Sequence, residues 1–172
     1  MKRTGMITIA IAVLMGVGWG VFRIFPRNVS LSLRGVEYQL GSKRYGVKPV
    51  VLRLSGTLHT SLWGVKTFSG TLSIAGATVQ NKDNGRHLDI GFSSGLGSIS
   101  YLNRNPFTYY YYTYGTIFTN QGFNTFTITV YPHNGWGWNS TNGLMISAPA
   151  QTRTQALQIS NTLTKKFFDY PL

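Results

Sequence analysis

The chain has no cysteine, and only four of its 172 residues are acidic. The absence of cysteine excludes disulfide bonds, thiolate metal ligands and cysteine nucleophiles. Four carboxylates and three histidines leave few groups for acid–base chemistry. The histidines do not have the spacing of a metal-binding motif, and no phosphate loop or dinucleotide-binding fingerprint occurs. We therefore expect no bound metal and no cofactor.

His87 and Asp89 form the pair whose spacing is closest to that of a catalytic site. They lie two residues apart in an alternating segment, so both side chains point to the same face of a strand. Such a pair can orient an imidazole as a general base for a nearby serine. No Gly-x-Ser-x-Gly elbow and no Ser-x-x-Lys motif accompanies it. A hydrolase of the cell envelope is the alternative hypothesis, and an ordinary surface pair is the simpler interpretation.

Basic residues outnumber acidic ones by 16 to 4, which gives a net charge of +12. Four basic residues precede position 28, which leaves 12 basic against 4 acidic residues, or +8, for the remaining chain. Such an excess attracts anionic surfaces. The basic residues are scattered along the chain. A membrane-tethered exported domain, which the segment at the start of the chain predicts, rarely meets nucleic acid. We expect anionic lipid head groups or wall polymers, and no nucleic acid, as the partners of this charge.

Residues 4–22 form an uncharged run of 19 residues between Lys2-Arg3 and Arg23. A helix over this run spans roughly 28 Å, the thickness of a bilayer core. The run is too long for the core of a cleavable signal peptide, and no Ala-x-Ala site follows it. We predict a signal anchor over residues 1–27, a single-pass transmembrane helix in the plasma membrane. The first basic cluster favours a cytoplasmic N-terminus, with residues 28–172 outside the cytoplasm.

Two glycines inside this run, Gly16 and Gly20, have the G-x-x-x-G spacing. This spacing allows two membrane helices to approach closely, so it predicts a homodimer through Gly16 and Gly20. Glycine is also common in membrane helices in general, and under this alternative the spacing does not indicate a dimer.

Alternating apolar residues in the rest of the chain predict short strands. Between residues 29 and 40 the alternation changes phase at Gly35, which predicts a bulge or a turn there. The tetrapeptide Ser-Gly-Thr-Leu occurs at 55–58 and again at 69–72, which predicts two similar strands paired in a hairpin. The segment 81–85, Asn-Lys-Asp-Asn-Gly, predicts a turn.

One soluble helix is predicted at the end of the chain. Pro149 ends a short strand, and Thr152 with Gln155 has the spacing of a capping box. A single stripe contains Ala156, Ile159, Leu163 and Phe167. The predicted fold class is α+β: an N-terminal transmembrane helix followed by an antiparallel β-rich domain with one C-terminal amphipathic helix.

Aromatic residues are the best candidates for contact with a ligand or a partner. The segment 109–112 is a run of four tyrosines, and Trp136 and Trp138 lie in a Gly/Asn-rich loop. Exposed rings can stack on sugars or anchor a protein partner. We predict contacts through Tyr110, Tyr112, Trp136 and Trp138, although the same rings can instead fill the core.

The segment Gly143–Ala150, which contains Ile-Ser-Ala-Pro-Ala, precedes a helix with Ala156-Leu157 and Ile159. This region resembles the C-terminal part of short membrane-anchored proteins of Gram-positive bacteria. Their helices begin with acidic residues, whereas Arg153 and Thr154 stand here. The resemblance implies a bacterial protein located outside the cytoplasm and implies no catalytic activity. The function we expect is a non-enzymatic interaction module that contacts an envelope protein or an anionic wall polymer.

Overall fold

The computed structural model describes residues 25–41, 46–105, 108–132, 137–168 and 170–172. These residues form eight strands and one helix. In chain order the elements are β1 (Arg27–Gln39), β2 (Lys48–Thr60), β3 (Lys66–Ala75), β4 (His87–Phe92), β5 (Leu96–Asn105), β6 (Thr108–Thr119), β7 (Phe126–Val130), β8 (Leu144–Ala148) and α1 (Arg153–Thr164).

All eight strands belong to one antiparallel sheet in the order β4-β3-β2-β1-β8-β7-β6-β5. The two edge strands, β4 and β5, are consecutive in the chain and contact each other. At their turn the backbone N–H of Ser93 donates to Leu96 O and that of Leu96 donates to Ser93 O, each at 2.9 Å. The sheet therefore curls until its edges meet, and it is nearly closed.

The inner face of this curved sheet holds the main hydrophobic core. Alternate residues of the strands point inward, as the period of a strand requires. Leu52, Leu54, Phe68 and Leu72 are fully buried there. Phe123, from the β6–β7 turn, packs against Phe68, Phe92 and Phe126.

Helix α1 packs on the outer face of the sheet, over β8, β7 and β1. A second, smaller core lies between them and includes Val36, Tyr38, Met145 and Ala156. Buried hydroxyl groups link the two layers. Ser160 Oγ contacts Tyr38 Oη, lies 2.9 Å from Ser147 Oγ and lies 3.3 Å from Thr127 Oγ1.

The α+β prediction is wrong for the described part of the chain. That part is a mostly antiparallel β fold in which the single helix has 12 residues. The predicted transmembrane helix falls on residues 1–24, which lie outside the described residues, as do Gly16 and Gly20. Within the described ranges, no helix is long and apolar enough to cross a membrane.

The predicted bulge or turn at Gly35 is also wrong, because β1 pairs with β2 without a register shift from Arg27 to Glu37. The alternation of apolar residues changes phase because the opposite face of β1 is buried after Gly35. Val36 and Tyr38 face outward and are covered by α1, whereas Leu31 and Leu33 pack against the inner core. Glycine is needed at position 35 for a different reason. A Cβ there would lie 2.5 Å from Ser147 O and 2.8 Å from Ala148 Cβ in β8.

The predicted hairpin of the two Ser-Gly-Thr-Leu segments is confirmed. β2 and β3 are antiparallel neighbours, and Gly56 lies directly opposite Gly70. A Cβ on Gly56 would lie 2.6 Å from Gly70 Cα. The repeated glycine thus allows two strands to approach closely on the curved sheet.

The predicted start of the helix is confirmed, and its predicted apolar stripe is confirmed in part: Ala156 is buried and Ile159 packs against the second core, whereas Phe167 is exposed. Thr152 is the N-cap, and its Oγ1 accepts a bond from the backbone N–H of Gln155 at 3.2 Å. The buried residues are Ala156, Ser160 and Thr164. Of these, Ser160 bonds to hydroxyl groups on the outer face of the sheet, whereas Thr164 Oγ1 donates to Ser160 O within the helix. The larger Ile159 and Leu163 are only half-buried.

Candidate functional site

His87 and Asp89 lie on the exposed face of the edge strand β4. Both side chains are about two-thirds exposed, at 67% and 68%. Ser69 of the neighbouring strand completes a group of three, since its Oγ lies 3.3 Å from His87 Nε2.

The geometry of this group differs from that of a catalytic triad. Asp89 Oδ1 lies 3.9 Å from His87 Nε2, which is the same nitrogen that faces Ser69. In a triad the carboxylate and the serine contact opposite nitrogens of the ring, so that the base is oriented by one and acts through the other. The group is therefore arranged as a surface cluster, and the hydrolase alternative stays a prediction.

The tyrosine run contributes to the core on one face of β6. Tyr112 is 8% exposed and stacks on Tyr101 with ring centroids 6.4 Å apart. Tyr114 is fully buried, and its hydroxyl donates to Val79 O at 3.0 Å. Burial raises the pKa of the Tyr114 phenol, and the buried carboxylate of Glu37 raises it further. The ring of Tyr112 is therefore part of the main core and not of an exposed surface.

The other predicted contact residues fall in less exposed or undescribed positions. Tyr110 belongs to β6, but its side chain lies outside the described part, and so does Trp136. Trp138 is half-buried and stacks on Phe168, with ring centroids 5.7 Å apart. It packs against the second core under the end of α1. Of the four predicted rings, the structure describes those of Tyr112 and Trp138, which belong to different cores. Contacts through Tyr110 and Trp136 stay a prediction.

A cleft of about 660 Å³ lies between α1, β1 and the β6–β7 turn. Strand β1 contributes Ser32, Leu33 and Arg34, and the segment 149–151 forms one end. The turn contributes Asn120 and Thr125. The residues that α1 contributes are Gln155, Gln158, Ile159, Thr162 and Leu163.

The cleft exists because β8 is much shorter than β1. β8 ends at Ala148, before Pro149, and pairs only with residues Val36–Gln39 of the 13-residue β1. After Ala148 the chain makes one more bond to β1, from the N–H of Ala150 to Arg34 O at 3.1 Å, and then turns into α1. The first half of β1 therefore has a neighbour on one side only, β2, among the described strands.

The unpaired side of β1 presents backbone groups at alternate residues. Leu40 N–H bonds to Gly143 O, and Arg34 O accepts from Ala150, so the even-numbered residues of β1 point their backbone groups toward β8. In an antiparallel strand the N–H and C=O of one residue point to the same side. The N–H and C=O of Asn28, Ser30 and Ser32 therefore face the cleft side, where no described strand pairs with them. We call residues 28–32 the open edge.

The cleft combines an apolar wall with a polar, cationic rim. Leu33, Ile159 and Leu163 supply apolar surface, and Gln151, Gln155 and Gln158 supply amides. Arg34 is exposed, and the exposed Arg53 lies directly opposite Ser32 on β2. No carboxylate lines the cleft among the described residues. An extended, acidic chain segment matches these features better than a basic one.

Sequence reasoning missed this site because it depends on which strands are neighbours. Residues 28–34 read as an ordinary half-buried strand, and nothing local indicates that one side lacks a partner. The signal that was available is the mismatch in strand length: a long alternating segment at 29–40 against the short one at 144–147 that Pro149 ends.

Comparisons with known proteins add no family assignment to this site. No family model matches the chain, and no curated protein and no solved structure matches it. No group of three or more His, Asp or Glu side chains that could hold a metal ion occurs among the residues that the structure describes. The resemblance to anchored proteins of Gram-positive bacteria stays a prediction.

Proposed function

We propose that this protein is a non-enzymatic binding module, attached to the plasma membrane, that binds an extended acidic segment of an envelope protein along the open edge of β1. The observation that carries the proposal is the first half of β1, which has no strand partner on one side among the described residues and whose Ser32 lines the cleft. The bound segment adds as a new antiparallel or parallel strand at this edge.

The membrane location rests on the sequence of the first 27 residues. The uncharged run 4–22 suits a bilayer, and its basic flanks suit attachment with residues 28–172 on the outer face. The chain also has no cysteine, so the exported domain folds without oxidation. The described domain begins at residue 25, so the open edge lies close to the attachment point.

Strand addition is the binding mode that the backbone geometry favours. Asn28, Ser30 and Ser32 offer a row of donors and acceptors that an extended peptide can satisfy without moving β1. The half-buried Ile159 and Leu163 of α1 form the wall that receives the alternate apolar side chains of such a peptide. Main-chain bonds then supply affinity, and the wall supplies selectivity for apolar residues at every second position.

The charge around the cleft selects for acidic side chains at the remaining positions. Arg34 has no hydrogen-bond or ion-pair partner among the described residues apart from the backbone bond at its carbonyl. Of the described acidic residues, Glu37 is buried, Asp83 is paired with Arg86, and the exposed Asp89 lies on β4, three strands away from β1. The surface near the open edge is therefore cationic, which speeds and orients the approach of an anionic partner.

An anionic wall polymer is the second candidate ligand, because the same arginine and the amides of the rim suit phosphate or carboxylate groups on a sugar chain. A polymer has no strand to add, so its binding does not depend on the backbone groups of the open edge. This difference allows one pair of variants to separate the two ligands.

The test uses the full chain in phosphatidylcholine nanodiscs and a fluorescein-labelled ten-residue peptide of alternating valine and glutamate. Fluorescence anisotropy measures binding. Ser32→Pro removes an N–H that faces the cleft and places a ring in the path of an added strand, while the bonds between β1 and β2 stay intact. We expect it to weaken binding by at least about tenfold, the equivalent of about 1.4 kcal/mol. Ser32→Ala keeps the backbone and is the matched control.

Further variants test the proposal independently in case Ser32→Pro does not fold. Arg34→Glu changes an exposed side chain. We expect it to weaken binding of the valine–glutamate peptide and to strengthen binding of a valine–lysine peptide by comparable factors. His87→Ala, remote from the cleft, is expected to leave binding unchanged. Equal binding of the acidic and basic peptides by the unaltered chain would overturn the proposal. A different outcome would identify the polymer as the ligand instead of the peptide. In that outcome the unaltered chain binds lipoteichoic acid but no peptide, and Ser32→Pro leaves the binding of lipoteichoic acid unchanged.

A further inference from the structure

The turn between β2 and β3 carries the most exposed large apolar side chains in the described structure. Leu62 is 77% exposed, Trp63 is 90% exposed and Val65 is 49% exposed. A tryptophan at this level of exposure contributes nothing to the core. Trp63 therefore either contacts something outside this domain or could be replaced without destabilising the fold.

Hydrogen bonds constrain the backbone of this turn. The N–H of Gly64 donates to Ser61 O at 2.9 Å, and that of Ser61 donates to Val65 O at 2.8 Å. The N–H of Val65 also donates to Ser61 Oγ at 3.1 Å. Gly64 adopts a φ of 77°, which glycine tolerates without strain. The backbone is thus satisfied within the turn, and the apolar side chains project from its apex.

A fourth exposed apolar residue, Phe25, lies at the same end of the sheet. β1 begins at Arg27, which lies opposite Leu58 in β2. Continuing this register by two residues brings Phe25 level with Thr60, the last residue before the turn. Phe25 is 64% exposed. We call Phe25, Leu62, Trp63 and Val65 the apolar tip.

The tip lies beside the point at which the chain leads back to the uncharged run. Only Arg23 and Ile24 separate Phe22, the last residue of that run, from Phe25. Three residue steps span at most about 11 Å. The apex of the turn extends two to three residues beyond Thr60, or roughly 7–10 Å along the strand direction. A domain attached through residues 4–22 therefore has its apolar tip within reach of the bilayer surface.

We propose that the apolar tip contacts the lipid bilayer, with Leu62 and Trp63 in the head-group region of an anionic membrane. Tryptophan is enriched at this depth because its ring is apolar and its N–H is polar. The exposed Arg27 stands on the strand directly behind the tip, where its charge faces lipid phosphates. Lys66 lies at the same end of the sheet, but its Nζ donates to Gln121 O at 2.5 Å. The inference rests on the proposed membrane attachment and adds a second contact, which fixes the orientation of the domain and of the open edge relative to the membrane.

The absence of cysteine makes a depth measurement direct. Leu62→Cys in the full chain, labelled with the fluorophore NBD, is reconstituted into vesicles of phosphatidylglycerol and phosphatidylcholine. Lys82→Cys, on an exposed residue of the β3–β4 connection at the opposite end of the sheet, is the matched control. We expect a blue-shifted emission and strong quenching by doxyl-labelled phosphatidylcholine for the label at 62. The label at 82 is expected to show neither. Circular dichroism and thermal melts compare both labelled variants with the unaltered chain.

Each outcome separates the tip from the membrane attachment itself. Flotation with the vesicles and quenching at position 62 support the inference. Flotation with an aqueous label at 62 overturns the apolar tip and leaves the attachment standing. A blue shift without quenching by doxyl lipid assigns the tip to a protein contact and overturns the lipid contact. Failure to float overturns the attachment and the tip together.

Discussion

Replacing Ser160 by alanine removes the hydroxyl group that joins helix α1 to the outer face of the sheet. Ser160 Oγ is fully buried, donates to Ala156 O at 2.9 Å and contacts the hydroxyl of Tyr38. Without it, Tyr38 Oη keeps Ser147 Oγ at 3.4 Å and Met145 Sδ at 3.7 Å, two weak hydrogen bonds. The substitution therefore leaves a buried phenol nearly unsatisfied.

The size of the effect follows from this count. A lost hydrogen bond costs about 1 kcal/mol, and an unsatisfied buried polar group costs about 1–3 kcal/mol. Because Tyr38 keeps two weak partners, we expect Ser160→Ala to lower the free energy of unfolding by about 2 kcal/mol. For a domain of this size, about 1 kcal/mol corresponds to a change of about 2–4 °C in Tm, so Tm falls by about 4–8 °C.

The assay is a double-mutant cycle with Tyr38→Phe, measured by thermal and urea unfolding. The two groups share one bond, so we expect a coupling free energy of about 1 kcal/mol. Gln158→Ala, on the exposed side of the helix, is the control and is expected to change stability by less than about 0.5 kcal/mol. Additive effects of Ser160→Ala and Tyr38→Phe would refute the account of how the helix is held, and with it the origin of one wall of the cleft.

Two further predictions concern the sheet. Gly35→Ala is expected to destabilise the protein by about 1–3 kcal/mol, because its Cβ meets Ser147 O and Ala148 Cβ. Gly91→Ala, where the added Cβ meets nothing within 4 Å, is the matched control, and equal stability of the two variants in urea unfolding would contradict the packing at β8. Stability is also expected to fall above pH 10. Burial raises the pKa of Tyr114 above its ordinary value of 10.0, so the unfolded chain ionises first as the pH rises, at a cost of about 1.4 kcal/mol per pH unit. Tyr114→Phe makes the fall in urea midpoint between pH 9 and pH 11.5 shallower, and an unchanged slope would exclude this residue as its cause.

Local patterns predicted the elements whose partners are close in the chain. The hairpin of the repeated Ser-Gly-Thr-Leu segments and the N-cap at Thr152 depend on residues only a few positions apart, so the sequence contains their full signal. The end of β8 before Pro149 is equally local. These are the features on which sequence reasoning and the structure agree.

Features that depend on distant neighbours were mispredicted or missed. The change of phase after Gly35 reflects cover by α1, more than 100 residues away, and not a bulge. The buried residues of α1 include Ser160 because the sheet offers hydroxyl groups opposite it, which hydrophobicity does not reveal. The open edge exists because β1 and β8 pair over only four residues, a fact of tertiary structure.

The central claim is that an extended peptide pairs with the open edge of β1. Hydrogen–deuterium exchange of the full chain in nanodiscs, with and without the valine–glutamate peptide, tests it residue by residue. We expect the amides of Ser30 and Ser32 to become protected from exchange on binding. The amides of β4, an edge strand three strands away from β1, are expected to exchange as before. Peptide binding without protection at residues 28–32 would contradict it.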